Sequence, residues 1–278
     1  MKVFVTGADG QVGKAVVSLL EKKNISVMGI DRDILDITDE NAVKEFFGGK
    51  DFTHIVHCAA YTAVDNAEKE KLCCLATNTD ATRYIAEVCK KADATMIYLS
   101  TDYVFDGTAG RPYYEHDYCR PVNYYGMTKL LGDGEVLSLR KKFIIRTSRV
   151  FGDGTNFVRT MLRLADAGKP LRVVCDEFAS PTYAVDLANM IYECICSEKY
   201  YGIFHCTNSG SCSWYEFAQK IFELTGKTVD ISPVESKDYP TLAKRPPDST
   251  LCCRKMQECG YTPMPSWEDA LERYLKTL

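Results

Sequence analysis

Apolar positions along the first 150 residues follow two alternating patterns. Short runs rich in β-branched and aromatic residues, at residues 3–5, 26–30, 54–58, 95–99 and 143–147, predict strands. Between them, apolar residues recur every three or four positions and predict helices over 12–23, 40–47, 77–91 and 124–140. Strand and helix in alternation imply strand–helix–strand units feeding a parallel sheet. After about Val150 the alternation stops. Helices are predicted at 157–167 and 184–197, followed by a tail containing Pro233, Pro240, Pro246, Pro247, Pro263 and Pro265. The change of texture divides the chain into residues 1–150, joined by the apolar helix at about 182–197, and a smaller lobe over 151–278. No internal repeat or low-complexity segment interrupts it.

Composition narrows the class. The 278 residues are 46% hydrophobic and 26% charged, ample for a sizeable core. A formal net charge of −4, with no clustered basic run, argues against a nucleic-acid partner. The first strand reaches Gly7 before any signal-like apolar stretch can form, and no run of about 18 apolar residues follows, so a cytoplasmic protein without a membrane span is expected. The 13 cysteines are odd in number and lack C-x-x-C spacing, and His54, His57, His116 and His205 are scattered. Reduced thiols and no metal site are the expectation.

Candidate chemistry begins at the first strand-to-helix turn. Gly7-Ala8-Asp9-Gly10-Gln11-Val12-Gly13 places three glycines where a tight turn, a close backbone approach and a helix N-terminus together suit a pyrophosphate. Asp31, directly after the second strand, is placed to take the ribose hydroxyls of NAD; Arg32 beside it is equally placed to take the additional phosphate of NADP. NADH and NADPH both remain open. Asp36 and Ile37 fall where the next loop can border adenine.

Tyr125 and Lys129 lie four residues apart on one face of the helix predicted at 124–140. A phenol ionises near 10, and a neighbouring ammonium is expected to bring it closer to a usable range. Thr101 ends the strand predicted just before, at the carboxyl edge where open α/β sheets bind ligands. The three groups suit polarisation of a carbonyl (Thr101), proton transfer (Tyr125) and support of phenol and ribose (Lys129).

With these motifs in this order the chain resembles the extended short-chain dehydrogenases/reductases, and within them the dTDP-4-dehydrorhamnose reductases. The likeness spans nearly the whole length. It includes His57-Cys58-Ala59-Ala60-Tyr61-Thr62-Ala63-Val64-Asp65-Asn66-Ala67-Glu68, Leu99-Ser100-Thr101-Asp102-Tyr103-Val104-Phe105-Asp106-Gly107, Asn123-Tyr124-Tyr125-Gly126-Met127-Thr128-Lys129-Leu130, Asn156-Phe157-Val158-Arg159-Thr160-Met161-Leu162, Ser180-Pro181-Thr182-Tyr183-Ala184 and Arg245-Pro246-Pro247-Asp248-Ser249. The resemblance implies a Rossmann doubly wound parallel α/β sheet with a smaller, interleaved C-terminal α/β substrate lobe. It implies that Ala59, Ala60 and Tyr61 border an NADH or NADPH cofactor, and that Asp102, Tyr103, Phe157 and Arg245 lie near sugar or nucleotide. The expected reaction is reduction of the C4 keto group of a nucleotide-linked deoxysugar, dTDP-4-dehydro-L-rhamnose foremost, with a homodimer as an allowed assembly. Two departures stand out. Arg149 occupies a position where the family carries tryptophan, and Glu177 and Ala179 replace glutamine and glycine. Arg149 points to a more polar or anionic sugar, or to another way of holding the diphosphate. Two other readings are a different 4-keto-sugar and a non-catalytic nucleotide-binding regulatory subunit.

Overall fold

A computed structural model describes residues 1–197 and 199–278. Six strands, β1 (Lys2–Thr6), β2 (Ser26–Ile30), β3 (His54–His57), β4 (Thr95–Thr101), β5 (Lys142–Thr147) and β6 (Gly202–His205), form one parallel sheet in the order β6-β5-β4-β3-β1-β2. Every residue of β4 is buried, as a central parallel strand covered on both faces requires. Alternate side chains serve opposite layers. Val3 and Val5 of β1 face α1 (Gln11–Lys22), whereas Phe4 faces α2 (Glu40–Phe47).

The chain leaves β1 through α1 to the outer strand β2, then returns through α2 on the other face to β3, which pairs with β1. This reversal opens a crevice at the carboxyl ends of β1 and β3. Thr6 stands opposite both Ile30 and His57 in register, and Thr101 opposite Thr147, so the strands finish along one edge.

The helix expected over 77–91 has a different form. A short helix at Lys71–Leu75 passes through a widened π turn at Ala76–Asp80 into α3 (Ala81–Ala92). The buried Asn78 explains the bulge: its Oδ1 accepts the Tyr61 N–H at 2.8 Å and its Nδ2 donates to Thr128 Oγ1 at 3.1 Å. Such π turns recur beside functional sites. Next comes α4 (Tyr124–Leu137), whose N-cap Asn123 accepts the Gly126 N–H at 2.7 Å.

Beyond β5, α5 (Phe157–Asp166), α7 (Trp214–Thr225) and α8 (Trp267–Leu275) enclose a separate core of Phe151, Met161, Phe217, Trp267 and Tyr274. Between them in sequence, α6 (Ala184–Cys196) returns to the sheet and packs its Leu187, Ile191 and Ile195 in the same layer as Val16 and Leu20 of α1. The four-residue β6 then joins the sheet beside β5, an element too short for its periodicity to be read. Among the described residues all thirteen cysteines are free, and no helix is long and apolar enough to cross a membrane.

Candidate active site

The glycine loop is shaped by what cannot fit beside it. Gly7 has φ +65°, and a Cβ there would stand 2.7 Å from the Ala59 backbone at the end of β3. A Cβ on Gly13 would stand 2.1 Å from the Gly7 carbonyl oxygen, so only glycine lets α1 start this close to β1. Gly10 caps α1 without any side-chain acceptor, and the first turn carries no acidic residue. The leading amides of α1, at Gln11, Val12 and Gly13, therefore remain for an anion. Gln11 also buries an Oε1 that has no hydrogen-bond partner.

A cavity of about 900 Å³ extends from this loop along the crevice. Its walls include every position expected to meet a dinucleotide: Gly7, Gly10, Gln11, Val12 and Gly13; Asp31, Arg32, Asp36 and Ile37; Ala59, Ala60 and Tyr61; Tyr125 and Lys129. Asp31 ties two walls together, its Oδ2 accepting the Asp9 N–H at 3.0 Å and its Oδ1 the Arg32 N–H at 2.9 Å. Asp36 is turned toward Thr38, accepting both its N–H (2.9 Å) and its hydroxyl (2.7 Å), bonds that hold its carboxyl below the usual range. Tyr61 sends its hydroxyl to Glu70 Oε2 at 2.7 Å. The unpartnered Gln11 oxygen and the uncapped helix start suit a dinucleotide, whose pyrophosphate would rest on α1.

At the inner end of the cavity, Tyr125 and Lys129 stand one turn apart on α4. Lys129 is 2% exposed; its Nζ donates to the Leu99 carbonyl at 2.7 Å and lies 4.0 Å from the centre of the Tyr98 ring. Burial depresses its pKa to about 7, against the opposing charge of Asp133. Tyr125 differs from expectation. Burial drives its phenol well above the ordinary value, and the group that pulls it back is the Thr101 hydroxyl, not Lys129. Its Nζ donates to Leu99, so the lysine is close to the phenol on the same helix face without being hydrogen-bonded to it.

Thr101 donates to Asp102 Oδ1 at 3.1 Å. Asp102 is buried, and its Oδ2 accepts the hydroxyls of Ser148 (2.7 Å) and Ser249 (2.5 Å), tying the ends of β4 and β5 to the C-terminal segment. Tyr103 meets the Tyr125 ring edge-on at 6.0 Å. None of Thr101, Asp102, Tyr103, Arg149, Phe157 and Arg245 lines the 900 Å³ cavity, which reaches β4 only at Leu99 and Ser100. They lie on the side of Tyr125 facing the second core, where the charges of Arg245, Arg149 and Glu177 all act on Tyr103.

Three of these residues have fuller attachments than the sequence suggests. Arg149 adopts φ +44°, donates to the carbonyls of Cys212 and Glu177 at 2.8 Å each, and stacks 4.0 Å over the Trp214 ring. Its donors hold two segments of the lobe together, so the expectation of a guanidinium reserved for an anionic sugar is not met. Phe157 packs against Trp214 at 4.5 Å and stacks on Phe217 at 5.6 Å, joining the lobe core. Arg245 pairs with Asp65 at 2.7 Å. Of the other participants, Asn78, Asp133 and Trp214 stand outside the motifs, and Ser148 and Ser249 lie in family-like segments without a role that spacing assigns. Only Asp133 carried a local signal, standing one helical turn beyond Lys129.

The RmlD substrate binding domain family matches residues 1–278. A dTDP-4-dehydrorhamnose reductase from Clostridium acetobutylicum is 39% identical, with a TM-score of 0.97 over 100% of this chain and 99% of its own. The enzyme of that name from Bacillus anthracis, solved in complex with NADP, is 38% identical, with a TM-score of 0.96 over the full length of both chains. A dTDP-4-keto-6-deoxy-D-glucose reductase from Streptomyces niveus is 38% identical over 96% of this chain and 94% of its own.

Proposed function

The chain belongs to the RmlD substrate binding domain family, and from that premise we propose that it is an NADPH- or NADH-dependent reductase of the C4 keto group of a nucleotide-linked deoxysugar, with dTDP-4-dehydro-L-rhamnose as substrate and dTDP-L-rhamnose as product. The observation that carries this reading is the place of Tyr125 and Lys129, at the inner end of a dinucleotide-sized cavity and against the Thr101–Asp102 strand end. Reduced nicotinamide, when bound, supplies the two-electron reducing equivalent.

The residues of the chain do the rest. The amides opening α1 hold the pyrophosphate, Asp31 and Arg32 border the adenosine ribose, and Ala59, Ala60 and Tyr61 line the path inward. A phenol held above its ordinary pKa is protonated at neutral pH, which suits Tyr125 to donate its Oη proton to the substrate carbonyl oxygen. The Thr101 hydroxyl, turning away from Asp102 Oδ1, donates its single proton to the same oxygen as charge develops there. Lys129, as an ammonium, lowers the cost of leaving Tyr125 a phenolate. Tyr103, Arg149, Phe157 and Arg245 shape the sugar and nucleotide side, Arg149 by holding Trp214 and the Glu177 segment in place.

The test is loss of 340 nm absorbance with dTDP-4-dehydro-L-rhamnose, with NADH and NADPH assayed separately. Turnover should fall by about 10²–10⁴ in Tyr125→Phe, with cofactor affinity unchanged. Near-normal turnover in that variant overturns the mechanism; oxidation of neither cofactor overturns the substrate. A second reading, reduction of another nucleotide-linked 4-keto-sugar, is favoured by the Streptomyces niveus relative, which is named for dTDP-4-keto-6-deoxy-D-glucose. Turnover rates across several keto-sugars separate the two. The same reading carries a cytoplasmic location, a cofactor unit of 1–150 with 182–197, a substrate lobe of 151–278, and a homodimer, which light scattering checks.

A further inference from the structure

Lys129 is a nearly buried cation, so what balances its charge matters to any chemistry it supports. The groups facing it come from several elements. From β4 there are the Leu99 carbonyl and the Tyr98 ring; from the end of β3, His57 and Cys58; from the Lys71–Leu75 helix, Cys74; and from α4 itself, Tyr125 and Asp133. Burial holds His57 at about 3, pushes Cys58 to about 12, and raises Cys74, Tyr98 and Tyr125. All five are neutral at pH 7. That leaves Asp133, one helical turn beyond Lys129, as the opposing charge.

Asp133 is 1% exposed, and its Oδ2 accepts from Arg146 Nε at 3.1 Å and Nη2 at 2.9 Å, reaching across from β5. Burial leaves the Asp133 pKa raised on balance, with Arg146 pulling it back; the guanidinium keeps its proton, and its two-donor contact is what favours the ionised carboxylate there. Asp133 Oδ1 and Arg146 Nη1 are left without partners. As a stability device the arrangement is poor, since a buried ion pair with unsatisfied atoms is commonly matched or bettered by apolar packing. Its geometry instead makes a row of alternating charge, Lys129, Asp133, Arg146, running inward from the site. We propose that Asp133, anchored by Arg146, is a positioning residue whose charge keeps Lys129 an ammonium beside Tyr125, while the Leu99 carbonyl holds the Nζ where it is. This rests on the roles given to Tyr125 and Lys129 above.

The test reads Lys129 directly, by NMR of protein carrying [13Cε]lysine, without substrate or cofactor. One lysine signal should titrate near pH 7 and vanish in Lys129→Arg. In Asp133→Asn its midpoint should fall by about one pH unit or more, and Asp133→Glu should bring it back. No turnover is needed, so the result stands even if the chain proves not to be a reductase. In the active enzyme the high-pH limb of kcat should move down equally, about a tenfold loss above the limb and little below it. An unchanged midpoint in folded Asp133→Asn overturns the proposal. If Arg146, left alone, prevents that variant from folding, the Asp133→Leu/Arg146→Met double variant replaces the pair by apolar groups. A lowered midpoint there sustains the proposal, and a midpoint equal to that of the unmodified protein overturns it.

Discussion

The two sides of Tyr125 are built on different principles. On the cofactor side the shape is set by backbone: the glycine turn, the uncapped start of α1 and the ends of β1 and β3. On the lobe side it is a web of side chains from distant segments, with Asp102 reaching Ser148 and Ser249, Arg149 reaching Cys212 and Glu177, and Arg245 reaching Asp65. A backbone surface tolerates little change at a few positions. A side-chain web distributes the same task, and its members can be exchanged as substrates change.

The largest effect should come from Gly13→Ala. A Cβ 2.1 Å from the Gly7 carbonyl oxygen forces α1 away from β1, which should cost about 3 kcal/mol or more in stability or about 100-fold or more in cofactor affinity. Thermal melting and cofactor titration measure both, and a well-folded variant of normal affinity would break the contrast. On the lobe side, Arg149→Ala removes two backbone anchors and a stacked guanidinium. It should lower kcat/KM for the sugar by about 10–100-fold while leaving cofactor affinity within about twofold. An equal loss in both would show that the two sides are not separable.

Lys129 lines the cofactor side, and its burial carries a stability signature. Its pKa of about 7 in the folded chain lies below the unfolded value near 10.4, so the folded state loses its proton first as pH rises. The burial penalty is complete below about pH 7 and fades as pH approaches 10, so this group makes stability rise with pH across that window. Lys129→Met should therefore abolish turnover yet stabilise the fold at pH 7 by on the order of 1–3 kcal/mol, a gain that shrinks at pH 9. Melting curves at both pH values check the sign; a destabilised variant at pH 7 would contradict it. The smallest effect is expected at Asp36→Ala, which should change cofactor affinity less than about threefold, because its carboxylate is already committed to Thr38. Calorimetric titration decides this one.

This contrast also explains which residues could be read ahead of the structure. Gly7, Gly10 and Gly13 announce themselves because backbone geometry permits few alternatives, and Tyr125 and Lys129 share a helical face by spacing alone. The capping pairs Ser213/Glu216 and Ser266/Asp269 of α7 and α8 are equally local, although Pro263 and Pro265 obscure the start of α8. By contrast, nothing near Asn78 indicates a π turn, because its partners are Tyr61 and Thr128. Arg149 alone gives no hint of Trp214, 65 positions away in the chain.

Local order in the sequence determined the strand–helix alternation, the phosphate loop and the pairing of phenol with ammonium, since periodicity, helix starts and positive φ each act within a few residues. Only the tertiary structure decided how charged and how free those groups are. Burial and distant partners raised Tyr125, lowered Lys129, set Asp133 behind it and committed Arg149 to the lobe, because desolvation and long-range contact depend on what the rest of the chain brings alongside.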